Sequence, residues 1–377
     1  MANFEMEIER LSFLSTLYKA QGVVDRKSTI NVLSHLHLEH DGDGVVNLTG
    51  TDYDVVLQAS LNANVTSGGS TCINGRSLFD VVKNLDTPTV NLKTLDNNWV
   101  EVTAGRSRFK LAGISAEEFP AIASPVGVSW LGIPKALFKD LIDKTAFSVS
   151  DEETRMNLNG VFFKIEPGAE NMAKLSMVST DGHRLSRIIV ETEIQGYDGQ
   201  TLEAIVHKKG VQEVRRLLED AAEIVEVGFT RGHVLLRVGQ TTLTVRQIED
   251  SYPDYERVIP SSSSSKVEIE RQRMIQSIRR LAILTSSKTY IVKMEISSGR
   301  LAFTTSNPDY GEGVDELDIS YDGPDITVGF NYAYILDVLG VLKGDTICLE
   351  VSDSFSPMVI TSPSEQGALF VVMPMRI

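Results

Sequence analysis

Glu7-Ile8-Glu9-Arg10-Leu11 opens a stretch in which alternating apolar residues give way to an amphipathic helix ending near Lys19. The pattern returns at Gly132-Ile133-Pro134-Lys135-Ala136, leading a helix to Lys144. It returns again at Glu268-Ile269-Glu270-Arg271-Gln272, leading a helix to Arg280. Three such segments in register, spaced about 130 residues apart, mark three copies of one domain. A chain of 377 residues leaves each copy long enough to bury a core of its own. The predicted domains are residues 1–128, 129–261 and 262–377, the second boundary lying in the serine run Ser261 to Ser265, read as a flexible connector.

Each domain contains a second, inner repeat. Cys72-Ile73-Asn74-Gly75-Arg76, Ile205-Val206-His207-Lys208-Lys209 and Gly329-Phe330-Asn331-Tyr332-Ala333 each lead a short helix, ending near Leu85, Leu218 and Leu342. Alternating strands such as Trp99-Val100-Glu101-Val102 follow, separated by Gly- and Asp-rich turns. Six strand–helix–strand units with more strand than helix predict an α+β fold: three similar domains, each of two βαβββ-type repeats, with antiparallel sheets backing the helices.

Composition narrows the function. No apolar run reaches the ~18–20 residues of a membrane span, and Met1-Ala2-Asn3-Phe4-Glu5 lacks the basic and apolar blocks of a signal peptide. Cys72 and Cys348 show no CxxC spacing, which suits a reducing cytosol and argues against disulfide or zinc frameworks. A net charge of −15 disfavours nucleic acid, if charge is spread evenly.

It is not spread evenly. Aligning the first helices places Arg10, Lys135 and Arg271 at one position, and Lys19, Lys144 and Arg280 at another. In the second helices Arg76 matches Lys209 and Lys83 matches Arg216, while Ala333 and Gly340 stand at those places in the third domain. Taken singly, these are solvated helix faces. Recurring at equivalent positions, they predict one basic surface on an acidic body, a device for confining DNA to that surface. Asp151-Glu152-Glu153, Glu223 to Glu226 and Glu312 to Asp318 hold acid elsewhere.

Other chemistries have weaker support. Asp181 and His183 raise acid–base hydrolysis, with no nucleophile or second aligned carboxylate nearby. His35, His37 and His40 cluster on a predicted strand, and His35 and His37 share a face that could bind a metal, with no evident third ligand. Asp41-Gly42-Asp43-Gly44 is a calcium-loop fragment without its terminal glutamate, better read as a turn. No Gly-rich loop with Lys-Ser/Thr points to ATP. No catalytic residue, metal or cofactor is therefore assigned.

Thr180-Asp181-Gly182-His183-Arg184-Leu185 resembles a signature of the bacterial DNA polymerase III beta subunit (sliding clamp) family. So do Leu158-Asn159-Gly160, Gly105-Arg106-Ser107-Arg108-Phe109, Pro253-Asp254-Tyr255-Glu256-Arg257-Val258, Phe330-Asn331 with Tyr334 to Leu339, and Val371 to Ile377, in order along the whole chain. The resemblance implies a non-catalytic clamp whose two subunits pair head to tail, helices lining a hole for duplex DNA. It implies a cytoplasmic, nucleoid-associated protein that tethers the replicative polymerase. Clamp loader, other polymerases and repair proteins would dock through short peptides. A specialised paralogous clamp outside the main replicase is the alternative.

Carried over by residue, a peptide pocket between the second and third domains would use Leu158, Thr180, Gly182, His183, Arg184, Leu185, Pro253, Arg257, Val258, Val371, Met373, Pro374, Met375 and Arg376, with Phe355 and Pro357 as departures nearby. DNA-facing residues would include Lys27, Arg76, Lys208 and Lys209, to which the repeat alignment adds Lys83, Lys144, Arg216 and Arg280. The subunit contact would set Phe109 and Leu111 against Ile283 and Leu284, with Arg106 and Arg108 facing Asp309, Glu312, Asp315 or Glu316.

Overall fold

In the structure, a computed structural model, six strands run directly into six α-helices among the described residues. The helices are α1 (Arg10–Ala20), α2 (Gly75–Lys83), α3 (Lys135–Thr145), α4 (Lys208–Leu218), α5 (Arg271–Ala282) and α6 (Tyr332–Val341). The structure describes all residues except 1–3, 25–29, 41, 43, 153, 261–264 and 286–289, and the side chain at 171. The serine connector therefore falls, apart from Ser265, outside the described residues.

Abrupt strand-to-helix changes need a local cap, because the first helical N–H groups have no partner within the helix. Glu9 accepts from the Ser12 N–H (2.9 Å), Asn74 from Ser77 (3.0 Å) and Asn331 from Ala333 (3.0 Å). Asparagine and acidic side chains supply such caps at α1, α2 and α6, whereas Glu270 before α5 makes no side-chain cap bond.

All strand pairs are antiparallel, and the pairing is the same in every repeat. The strand before the first helix pairs with the first strand after the second: Glu5–Glu9 with Thr89–Thr94, Ser129–Pro134 with Ile224–Phe229, Ser265–Glu270 with Thr346–Val351. Conversely, Ser70–Asn74, Leu202–His207 and Ile326–Asn331 pair with His35–His40, Gly160–Pro167 and Ile291–Ser297. Alternating burial follows the pleat: in Val55–Asn62, residues Val55, Leu57, Ala59 and Leu61 are buried and their neighbours are not.

The chain forms two compact units. One comprises Met1–Lys139, Ile194–Asp198 and Lys209–Gln247, the other Asp140–Glu193, Gly199–Lys208 and Ile248–Ile377. The central repeat contributes to both, because sheets run on across repeat boundaries. In the first unit Val55–Asn62 pairs with Thr241–Arg246, joining first-repeat and central-repeat strands into a nine-stranded sheet. In the second, Arg184–Thr192 pairs with Ala368–Val372 within an eight-stranded sheet. Five- and four-stranded sheets complete the first and second units respectively. Phe4, Phe13 and Leu17 centre the core of the first, and Phe163, Phe303, Phe330 and Phe370 that of the second.

Candidate functional site

Strand Ala173–Thr180 reverses into Arg184–Thr192 through a turn that its own side chains close. Gly182 sits at φ +87°, a left-handed conformation that favours glycine. One Asp181 oxygen accepts the N–H groups of His183 and Arg184, both at 2.9 Å. The Thr180 hydroxyl accepts the Gly182 N–H (3.1 Å) and donates to the Arg184 carbonyl (2.6 Å). The second Asp181 oxygen takes the Arg184 Nε–H at 3.0 Å. Asp181 thus holds the backbone and an arginine rather than orienting the exposed His183 ring, as a hydrolase would require.

Against this turn lies a cavity of about 210 Å³, walled entirely by the second unit. Leu158, Thr180, Gly182, Arg184, Leu185, Pro253, Val258, Val371 and Met373 line it, brought together from four separated stretches of sequence. Its floor is the buried cluster Val178, Leu185 and Val371. Asp254 and Tyr255 also line it; both lay inside the quoted Pro253-to-Val258 motif but were not singled out. Tyr255 meets Tyr252 edge-on, centroids 6.3 Å apart, and Tyr252 stacks on Phe162 at 5.1 Å. Burial pushes both phenols above their ordinary pKa, Tyr255 at the cavity wall and Tyr252 packed behind it.

The remaining expected members lie outside this cavity. Arg257 turns to Asp254 (2.7 Å) and is largely exposed. Pro374, Met375 and Arg376 line a neighbouring hollow of about 610 Å³ with Phe355, because the Met375 N–H bonds the Gly329 carbonyl at 2.8 Å and draws the chain end onto strand Ile326–Asn331. His183 contributes its carbonyl to the Met373 N–H (2.8 Å). Met373 is common to both hollows.

Family models of the DNA polymerase III beta subunit match the chain nearly end to end: the N-terminal domain over residues 4–123, the central domain over 132–254 and the C-terminal domain over 256–376. The chain belongs to the DNA polymerase III beta subunit family. The beta sliding clamp of Pseudomonas putida is 32% identical over 371 residues, covering 98% of this chain and 99% of that one. The beta sliding clamp structure from C. crescentus shares 32% identity with a TM-score of 0.93, both chains covered in full. A Bartonella birtlesii sliding clamp bound to griselimycin shares 29% identity with a TM-score of 0.92, again over both full chains.

In this clamp the recurring cations divide into two kinds, and the first corrects the sequence reading. Arg10, Lys135 and Arg271 are not free surface charges, since each is committed to backbone carbonyls. Arg10 Nε donates to the Thr87 carbonyl (3.0 Å). Lys135 Nζ donates to those of Glu219 (3.1 Å) and Ala221 (2.9 Å), and Arg271 to those of Gly344 and Leu339 (both 2.8 Å). These carbonyls lie near or just beyond the C-terminal ends of α2, α4 and α6, where the helix leaves acceptors unpaired and partial negative charge. The cation ties the paired helices of each repeat together. Arg271→Ala should therefore lower unfolding stability by about 1.5–3 kcal/mol in denaturant titration, with retention on DNA unaltered.

Lys144 is a second correction. It is 4% exposed, paired with Asp140 (2.6 Å) and with Glu365, so it cannot face DNA. Asp140 also binds Lys343, and Glu365 accepts the N–H groups of Lys343 and Gly344. Burial opposes charge on Asp140, Glu365 and Lys144 alike, but the hydrogen bonds outweigh it. The two carboxyls titrate below their ordinary range and Lys144 above its own.

The other expected DNA-facing cations are mostly ion-paired. Arg76 meets Asp80 (3.5 Å), Arg216 meets Glu213 (2.8 Å), Lys208 meets Asp151 (2.5 Å), Arg280 meets Asp315 (2.5 Å) and Lys209 meets Asp52. Lys83 lies 5.7 Å from the Phe79 ring centroid. Lys27 lies outside the described residues. The clustered histidines separate: His35 Nδ1 is 2.9 Å from the Asn31 carbonyl, His37 stacks on Phe119 at 5.1 Å, and His40 accepts the Gly44 N–H at 3.3 Å. Burial lowers the His37 pKa, keeping that ring neutral.

The expected subunit-contact residues lie at two sheet edges and at the end of α5. Ser107–Leu111, carrying Arg108 and Phe109, edges the five-stranded sheet. Gly311–Asp318 edges the four-stranded sheet, and Ile283, just beyond α5, is 76% exposed.

Proposed function

We propose that this chain is a non-catalytic cytoplasmic processivity clamp. Two copies close head to tail around duplex DNA, and the replicative polymerase, clamp loader and repair proteins dock by short peptides in the cavity beside Gly182. One observation carries the ring. In each repeat half, the third strand after the helix is the one available to a neighbour. Val55–Asn62 takes Thr241–Arg246 and Arg184–Thr192 takes Ala368–Val372. The other two, Ser107–Leu111 and Gly311–Asp318, end their sheets. Pairing them between subunits extends the same rule, and the contact is heterologous, so a ring forms when the rotation closes.

Charge favours that pairing over like-with-like. One edge carries Arg106, Arg108 and Lys110, the other Glu312, Asp315, Glu316 and Asp318. Unlike edges attract and each repels its own copy. The pairs with exposed carboxylates, Arg76–Asp80 and Lys208–Asp151, suit sliding: exposed ion pairs are worth about 0–1 kcal/mol, so phosphates can exchange with these carboxylates without being gripped. Such contacts follow the backbone and carry no sequence information. Among the described residues no helix is long and apolar enough to cross a membrane.

The deciding experiment combines sedimentation mass with DNA retention. Loaded by its clamp loader onto nicked circular DNA, the clamp should sediment as a dimer, stay bound through high salt and fall off within minutes of linearisation. Retention indifferent to DNA ends, or a monomer throughout, would refute encirclement.

A further inference from the structure

Arg184 lines the partner cavity, yet its guanidinium is committed on every side. Nε donates to Asp181 (3.0 Å), one terminal nitrogen to Asp337 (2.5 Å) and the other to the Phe147 carbonyl (2.5 Å). The group also lies over the rings of Tyr334, 4.4 Å from its centroid, and Phe147, at 5.3 Å. The side chain is 12% exposed. These anchors come from the turn, the segment after α3, and α6. A planar fork held from three directions has one orientation, and its aliphatic stem can then serve as wall beside Leu185 and Met373.

Asp337 differs from the other carboxylate. Asp181 belongs to the turn that builds the cavity, whereas Asp337 stands on α6, half-exposed and outside the cavity lining. Its ion pair can add little to overall stability while still deciding where Arg184 points.

We infer that Asp337 is a positioning residue for the partner cavity, holding Arg184 from the α6 side so that Arg184 presents a packed stem rather than a free cation. The inference rests on the cavity being the partner site. Its ligand is then a segment with an apolar anchor, and a carboxylate placed toward Arg184 earns no added affinity. Displacing α6 disturbs the cavity wall through Asp337 and through Tyr334, which stands on the same helix.

The test uses the full-length clamp, with griselimycin as the probe and calorimetry as the readout. Asp337→Asn should weaken binding about tenfold with the unfolding midpoint unchanged, and Asp337→Glu should restore it to within about twofold. In an Arg184→Met background, Asp337→Asn should cost nothing further, because the effect passes through Arg184. Equal loss with and without Arg184, or no loss at all, overturns the inference. Met373→Asp separates this from the parent reading. It should abolish binding, and its failure to do so, or an unaltered clamp that does not bind griselimycin, sinks the cavity assignment and the inference with it.

Discussion

Arg108→Glu combined with Lys110→Glu should leave the clamp monomeric and unable to persist on circular DNA. Both side chains lie on one face of the edge strand Ser107–Leu111, two residues apart, and both are exposed. On the edge strand Gly311–Asp318, Glu312 and Glu316 share a face in the same way. Cross-strand charge pairs contribute about 0.2–1 kcal/mol each, and like charges cost a similar amount. Reversing two positions should therefore remove roughly 1–4 kcal/mol from the contact, weakening the dimer about five- to a thousandfold. Adding Glu312→Lys and Glu316→Lys to the same chain should restore the dimer with the polarity of its edges exchanged. Sedimentation velocity across a concentration series reads both steps. Recovery absent from the four-fold variant would mean that these edges do not meet. Val314, 61% exposed between the two glutamates, is the apolar residue that such pairing would cover.

Lys144→Ala should be strongly destabilising, costing about 3–5 kcal/mol. It removes one of the two ammonium partners of Asp140, leaving Lys343, and leaves Glu365 with only the N–H groups of Lys343 and Gly344 in a mostly buried place. The pH dependence has a definite sign. Asp140 and Glu365 titrate lower in the folded chain than in the unfolded one. Their contribution is complete above the ordinary carboxylate values and disappears as pH falls through the depressed ones. Lys144 titrates higher when folded, so its contribution is complete below the ordinary lysine value and disappears as pH rises through the elevated one. Denaturant unfolding of the unaltered clamp should weaken at both extremes, and Lys144→Ala should flatten both limbs. An unchanged acid limb in the variant would show that the network does not govern acid stability.

Much of the architecture was legible in one dimension. The helices begin at Arg10, Lys135 and Arg271, where the apolar alternation gives way to helical periodicity, and at Gly75, Lys208 and Tyr332 in the inner repeats. Both periodicities are local, set by which side of a strand or helix must be buried. The cavity was legible through a different signal. Gly182, Leu185, Pro253, Val371 and Met373 were found by resemblance, since no spacing rule brings together residues almost two hundred positions apart.

The cations show where such reading stops. Arg10, Lys135 and Arg271 recur at equivalent positions, as do Lys19, Lys144 and Arg280, and recurrence alone suggests a common role. The first set does share one, at the C-terminal ends of neighbouring helices. The second set meets acids of different origin: Lys19 pairs with Asp220 (3.0 Å), Lys144 with Asp140 and Glu365, and Arg280 with Asp315.

The six modules, their helices and the motif residues of a sliding clamp could be read along the chain, because periodicity and motif are properties of neighbouring residues. Which positive charges are consumed by carboxylates and helix ends, what holds the Arg184 guanidinium, and which two of the six third strands stay at sheet edges were set by the folded arrangement. Those outcomes depend on what lies across space from each group, and the free energy of a charge or an unpaired strand is set by that surrounding rather than by its place in the chain.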